Sequence, residues 1–280
     1  MLNLLNFCLF TLLYYINMEK RVGIIGWGKM GSCLGEALGE VNFSVYAYDK
    51  DKDKLKGVKK INVKSTSSEL IESVPILILA VKPQDIKDLL EEIREYLVRE
   101  KPLLITIAAG VSTSFFEQTV EAIRVIRVMP NLAAKVKAAV SFICKGKYAQ
   151  PQDLAVAKEI FAAVGKVFVV EESLLDKVTS ISGSGPGYIY YFMNCIYKAA
   201  VQLGFAEEVA KQMVKQTLWG AAKLAEMSSK DFAVLTGEVA SPKGTTEAGL
   251  KVFNQAKVEE IVLKAVISAY KRAQELNLKS

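Results

Sequence analysis

The segment Val22-Gly23-Ile24-Ile25-Gly26-Trp27-Gly28-Lys29-Met30-Gly31 restricts the fold more than any other. It places Gly-x-Gly-x-x-Gly directly after an apolar, β-rich run and at the opening of an amphipathic stretch. The first glycine permits a tight turn, the second lets backbone amides approach a pyrophosphate, and the third lets the following helix pack closely on the strand. The helix N-terminus then offers unpaired N–H groups and partial positive charge to the phosphates. Glycines in any strand–helix turn can match this pattern. Here a second β-rich run ends at Asp49, about twenty residues on, where an acid can accept hydrogen bonds from a ribose. The combination predicts a dinucleotide-binding turn, with Gly26, Trp27, Gly28, Lys29 and Met30 as cofactor-binding residues.

Beyond that turn the chain alternates short β-rich runs with amphipathic ones. Strands are predicted at 22–25, 44–48, 76–81, 103–107, 123–128, 139–144 and 166–170, and helices at 29–40, 51–57, 66–73, 84–99, 113–118 and 152–163. A nearly continuous apolar run such as 76–81 suits a parallel strand covered on both faces. The fold class is therefore α/β, with a Rossmann-type doubly wound sheet over 18–172. After Glu172 the strand pattern stops. Helices are predicted at 174–181, 186–204, 206–228, 230–237, 246–254 and 256–277, an all-α domain over 173–280. A length of 280 residues accommodates two domains. In 186–204 the polar residues Asn194, Lys198 and Gln202 form one i, i+4, i+8 stripe and the rest is largely apolar. Such a helix is buried on several sides, and a small helical domain needs a subunit partner to cover it.

Composition excludes several classes of function. The net charge of +6 arises from interspersed residues, 36 basic against 30 acidic, which gives a solvated surface rather than a nucleic-acid interface. Cys8, Cys33, Cys144 and Cys195 are far apart, a pattern for reduced thiols in the cytoplasm rather than for disulfides or zinc. With no histidine in the chain, a metal site is not expected, and proton transfer falls to hydroxyls, carboxylates, lysines, backbone groups or the cofactor. Residues 1–17 are apolar and uncharged, but no basic residue precedes the run, no cleavage site follows it, and Asn6 interrupts it. They are read as an extension from a start assigned too early, with translation expected from Met18, and not as a membrane anchor.

Further ligand contacts are expected at other strand ends. Ala80-Val81-Lys82-Pro83 follows one strand and Ala109-Gly110 another, where open α/β sheets bind ligands. Lys82 can face a phosphate or simply precede a helix start. Asp49 would repel a 2′-phosphate, whereas Lys50 turned toward the ribose would accept one, and all of these charges can equally be solvated. The coenzyme stays open between NAD and NADP.

Taken with Arg127-Val128-Met129-Pro130-Asn131, Ser182-Gly183-Ser184-Gly185-Pro186 and Ser241-Pro242-Lys243-Gly244-Thr245-Thr246, these motifs resemble those of 1-pyrroline-5-carboxylate reductase. The match runs in order from about residue 20 to 275, and the last motif, continuing into Ala248-Gly249-Leu250, is its specific part. The resemblance implies reduction of a cyclic imine at its C=N carbon by hydride from NAD(P)H, giving L-proline, the last step of proline synthesis. It also implies a cofactor domain followed by a helical dimerisation domain, with sites shared between two chains, and in some members a ring of dimers. No metal is implied.

By this resemblance Ser241, Gly244, Thr245 and Thr246 bind substrate. The amides of Gly244, Thr245 and Thr246 lie where a turn enters a helix and can hold a carboxylate, although the same turn can be an ordinary cap, with Ser241 or Thr245 capping. Thr246 matches the family's threonine beside the ring nitrogen and is the candidate catalytic residue. Asn131 is placed to meet the nicotinamide or the substrate, or to serve as a plain turn residue. Some positions depart from the family pattern. Lys243 stands where glycine is usual, Ser67 where an asparagine often contacts the adenosine, and Glu238 where an asparagine is common. A 3-hydroxyacid dehydrogenase would need a lysine and asparagine in the opposite order to Asn194 and Lys198. A dinucleotide sensor would not need a second anion-binding turn.

Overall fold

The computed structural model describes residues 20–276, so the extension expected at 1–17 lies outside the described residues. Eight strands form one sheet in the order β3-β2-β1-β4-β5-β6-β7-β8. They are β1 (Arg21–Ile25), β2 (Ser44–Tyr48), β3 (Asn62–Val63), β4 (Ile76–Leu79), β5 (Leu103–Thr106), β6 (Val125–Met129), β7 (Ala139–Lys145) and β8 (Gly165–Val169). β1 lies between β2 and β4, where the strand order reverses, and β1 to β6 are parallel neighbours. β7 pairs antiparallel to β6, and β8 runs parallel to β7. The reversal has a local cause. Residues 130–138 contain only a short 3₁₀ turn, Leu132–Val136, and a parallel connection needs a crossover of a dozen residues or more.

The sheet is covered on both faces, as its apolar strands require. Along β4, Ile76 and Ile78 join one core with Leu34, Leu38 and Phe161, while Leu77 and Leu79 join the other with Leu90, Ile93 and Phe116. The alternation is the period-two geometry of a strand buried on both sides. Each fully buried side chain of this size contributes roughly 1.5–3 kcal/mol. The covering helices are α1 (Lys29–Glu40), α2 (Ser67–Glu72), α3 (Ile86–Glu100), α4 (Thr113–Thr119) and α5 (Pro151–Ala162). Thr66 caps α2 through its side chain, and Ser112 does the same for α4.

The described residues form two compact units, one comprising residues 20–183 together with 270–276, the other Ser184–Ala269. The helix expected at 174–181 is a 3₁₀ turn, then α6 (Leu175–Val178), then a π-helical turn, Thr179–Gly183. The run expected as a helix at 51–57 is a 3₁₀ turn, Lys52–Leu55, opened by Asp51. β3 has two exposed residues and no alternation, so nothing in its sequence marks it as a strand.

The second unit is helical: α7 (Gly185–Gln202), α8 (Glu207–Glu226), α9 (Phe232–Val239), α10 (Thr245–Gln255) and most of α11 (Val258–Glu275). α7 packs on α8 after a reversal at Gly204, whose φ is +94°. The burial expected around α7 is not met within one chain, where Ala200 is its buried residue and Tyr190, Tyr191 and Ile196 are exposed. Among the described residues no helix is long and apolar enough to cross a membrane.

Candidate active site

The glycine turn is built as its spacing requires. Gly26 has φ +101° and its N–H donates to the Tyr48 carbonyl at 2.8 Å; a Cβ there would come within 2.7 Å of the Ala80 carbonyl oxygen. Gly31 admits no side chain either, because a Cβ would fall far inside contact with the Gly26 carbonyl. Gly28 is different: it is the N-cap of α1, and a Cβ on it would meet nothing within 4 Å. No side chain caps α1, so its first amides remain available to an anion. Beside Gly26 and Gly28 opens a cleft of about 480 Å³, within the size of small-molecule sites. The open side of Gly28 and the uncapped helix fit a dinucleotide pyrophosphate.

Asp49 lines this cleft but is buried and already engaged. Its Oδ2 accepts the Trp27 N–H at 2.7 Å, its Oδ1 accepts the Asp51 N–H at 2.8 Å, and the Lys54 ammonium lies 3.1 and 3.2 Å from the two oxygens. Burial alone would raise its pKa, but the two amides and Lys54 outweigh burial and hold the carboxyl below its ordinary range. Asp49 thus braces the glycine turn against the end of β2. Lys50 is 80% exposed and pairs with Asp85 at 3.3 Å.

The other expected cofactor residues fall into two groups. Ala80, Val81 and Lys82 line the cleft, and Pro83 opens the 3₁₀ turn Pro83–Asp85 with Lys82 as its N-cap. The remainder stand off it. The Trp27 ring is buried over Gly35 and its amide is taken by Asp49, so the side chain belongs to the core. Met30 is half-buried against the same core, and Lys29 is exposed. Ser67 is buried, with Oγ donating to Glu92 Oε1 at 2.5 Å, so it reaches the cleft only through Glu92. Ala109 and Gly110 follow β5, Gly110 with φ +73°. Asn131 follows β6; its Nδ2 donates to the Ser182 carbonyl at 3.3 Å, and its buried Oδ1 has no partner.

The sequence reading missed Asp85, Asp88, Leu89 and Glu92, which also line the cleft. Their i, i+3, i+4, i+7 spacing was the available signal, since it gives one helix face directly after a strand end.

In the second unit, the turn 241–246 leads into α10 with Gly244 as N-cap and no side-chain cap, so neither Ser241 nor Thr245 caps the helix. The Gly244 amide is not free, because it donates to the Ser241 carbonyl at 2.9 Å. The anion-binding capacity expected of three amides therefore narrows to those of the first turn of α10, including Thr245 and Thr246. Lys243 adopts φ +61°, the backbone of the glycine it replaces, and its N–H donates to Glu247 Oε2 at 2.5 Å. Glu238 pairs with Lys230.

Residues 172–276 match the pyrroline-5-carboxylate reductase dimerisation family, and residues 21–110 match a family described as NADP oxidoreductase, coenzyme F420-dependent. A pyrroline-5-carboxylate reductase of Methanosarcina acetivorans is 39% identical over 269 residues, 93% of this chain and 99% of that protein. The chain belongs to the pyrroline-5-carboxylate reductase family. A solved pyrroline-5-carboxylate reductase from Coxiella burnetii superposes with TM-score 0.87 at 31% identity, covering 93% of this chain and all (100%) of that one. The Plasmodium falciparum pyrroline carboxylate reductase, solved with NADP bound, gives 0.83 at 28% identity, with 92% and 99% covered. In this member of the pyrroline-5-carboxylate reductase family, no group of three or more Cys, Asp or Glu among the described residues is placed to hold a metal ion.

Proposed function

We propose that this chain reduces 1-pyrroline-5-carboxylate to L-proline with NAD(P)H, closing proline biosynthesis in the cytoplasm. The observation that carries the proposal is a family relationship spanning both units, with 39% identity along 99% of a named relative. When bound, the reduced nicotinamide supplies hydride to the C=N carbon, and the chain's own residues have four tasks.

The first task is cofactor binding. Gly26, Gly28 and the uncapped start of α1 hold the pyrophosphate, and Ala80, Val81 and Lys82 line its path. Asp49 keeps the turn in shape, while Lys50 and Lys54 beside it leave the cleft open to either NADPH or NADH. The second task is substrate orientation: Ser241, Gly244, Thr245 and Thr246 form the turn that receives the carboxylate, through the amides at the start of α10. The third is proton placement. An iminium accepts hydride far more readily than a neutral imine, and the Thr246 hydroxyl donates to the ring nitrogen or relays a proton to it. The fourth is assembly, for which the exposed apolar faces of α7 and its neighbours provide the surface of a homodimer.

The test is loss of NADH and NADPH absorbance, compared side by side, with 1-pyrroline-5-carboxylate as acceptor and L-proline identified as product. Cofactor oxidation that yields proline is expected; binding of either dinucleotide without turnover of this imine overturns the proposal.

A further inference from the structure

Asp85 occupies the N-cap position of α3, yet its side chain makes no cap hydrogen bond to that helix. Aspartate is among the preferred caps, so a carboxylate that turns away from the helix amides is engaged elsewhere. Its Oδ1 accepts from the Lys50 ammonium at 3.3 Å. Lys50 follows β2 and Asp85 follows β4, and these strands lie on opposite sides of β1. Both residues line the cleft beside Gly26 and Gly28. The pair therefore spans the cleft beyond the carboxyl end of β1, at the end where the acid after β2 marks the place of the adenosine ribose.

That end of the cleft holds no spare cation. A carboxylate offers about four acceptor sites; on Asp49 the Trp27 and Asp51 amides and the Lys54 ammonium, which reaches both oxygens, take them up. Lys54 is thereby committed to Asp49, as Lys50 is to Asp85. Asp88 and Glu92 line the cleft on the next turns of α3 and form no ion pair among the described residues. Four carboxylates, Asp49, Asp85, Asp88 and Glu92, thus face three ammonium groups, Lys50, Lys54 and Lys82. A 2′-phosphate brings a further charge of about −1.5 to −2 at neutral pH into a concave site that is already negative on balance. Lys50 can meet such a phosphate only by leaving Asp85, which then stands unpaired beside it. The 2′-hydroxyl of NADH requires neither change.

We propose that Asp85, by holding Lys50 across the cleft, is a specificity-determining residue that makes this chain favour NADH over NADPH. The inference rests on the reading of the chain as an NAD(P)H-dependent reductase. It is independent of the imine that is reduced, because the preference is measured on ligands bound without an acceptor.

The test is calorimetry on the full chain with four ligands: NADH, NADPH, ADP-ribose and 2′-phospho-ADP-ribose. Wild type is expected to bind NADH about fivefold more tightly than NADPH, and ADP-ribose more tightly than its 2′-phosphate by a similar factor, since the difference is confined to the ribose. Asp85→Asn removes no helix cap and frees Lys50, so both phosphorylated ligands should tighten by about fivefold while NADH and ADP-ribose stay within about twofold. Asp85→Glu keeps the charge and should restore the NADH preference. Asp88→Asn removes an equal charge from the same helix face without releasing Lys50, and most of the preference should remain. In a Lys50→Gln background Asp85→Asn should give no comparable gain, the coupling expected of a pair. NADPH bound by wild type as tightly as NADH, or more so, overturns the proposal. An equal gain in Asp88→Asn, or a gain from Asp85→Asn that persists without Lys50, overturns the role of the pair. Failure of proline formation with the NADH preference intact would instead count against the imine reductase reading alone.

Discussion

The backbone N–H of Trp27 donates to Asp49 Oδ2 at 2.7 Å, so the middle of the glycine turn hangs from the carboxylate that ends β2. The acid usually assigned to the ribose is here part of the framework that shapes the phosphate site. Because burial is outweighed by the amides of Asp51 and Trp27 and by Lys54, the folded pKa of Asp49 lies below its unfolded value. Its contribution to stability is therefore complete above the ordinary carboxylate range and is lost as pH falls below about 4. Asp49→Asn should lose roughly 1–2 kcal/mol at neutral pH and show a shallower acid limb in urea melts collected from neutral to acidic pH. An unchanged acid limb would remove Asp49 from the brace.

Gly31 and Gly28 should respond in opposite ways. Gly31→Ala drives a methyl into the Gly26 carbonyl and should destabilise the fold by roughly 1–3 kcal/mol. Gly28→Ala meets nothing in the protein and should leave the melting temperature unchanged, yet weaken NAD(P)H binding by occupying the open side of the turn. Thermal melts with and without cofactor separate the two effects.

Thr246→Ala should lower kcat by about 10²-fold, the scale of one general acid, while the dissociation constant of NAD(P)H stays within experimental error. Steady-state kinetics paired with cofactor titration checks both halves, and unchanged turnover removes Thr246 from the mechanism.

Lys243 holds a left-handed backbone that disfavours a side chain by about 1 kcal/mol. Lys243→Gly relieves that strain and gives back part of it as unfolded-chain entropy, so stability should change by only a few tenths of a kcal/mol. The KM for the imine carboxylate should rise with kcat retained, because a cation beside the carboxylate turn is lost. KM measured at low and high salt tests this, and the variant should show the weaker salt dependence.

Burial, with Glu172 nearby, pushes the Cys144 thiol up to about 12. Its thiolate is then negligible near pH 8, and iodoacetamide should leave it unmodified in the native protein and label it only in denaturant. Peptide mapping after each treatment is the check. Because the folded pKa is raised, the stability this neutral thiol contributes is fully present below the unfolded value of about 9 and is lost progressively as pH rises from there toward about 12.

Much of the fold was legible because strand and helix periods differ. Helix 29–40 and strand 44–48 have the same bounds in the structure, since a glycine turn before one and an apolar alternation in the other mark them locally. β3 was not legible, because two exposed residues at a sheet edge form a strand only through pairing with β2. Nor was the direction of β7, which depends on the short 3₁₀ connection after β6. The glycine turn and the turn before α10 could both be located from their motifs. Asp88 and Glu92 could not be assigned to the cleft before it was known which face of α3 turns toward it.

The sequence by itself determined that a dinucleotide turn opens a doubly wound sheet, and its motifs identified the family, because glycine positions and hydrophobic periods are local properties of the chain. Only the tertiary structure decided which donors each polar group meets. Asp49 is taken by Trp27, Asp51 and Lys54, the Gly244 amide by Ser241, and Asn131 Oδ1 by no group of the protein. Hydrogen bonds form between groups that are distant along the chain and close in space, and no pattern of residue types specifies that proximity before the chain has folded.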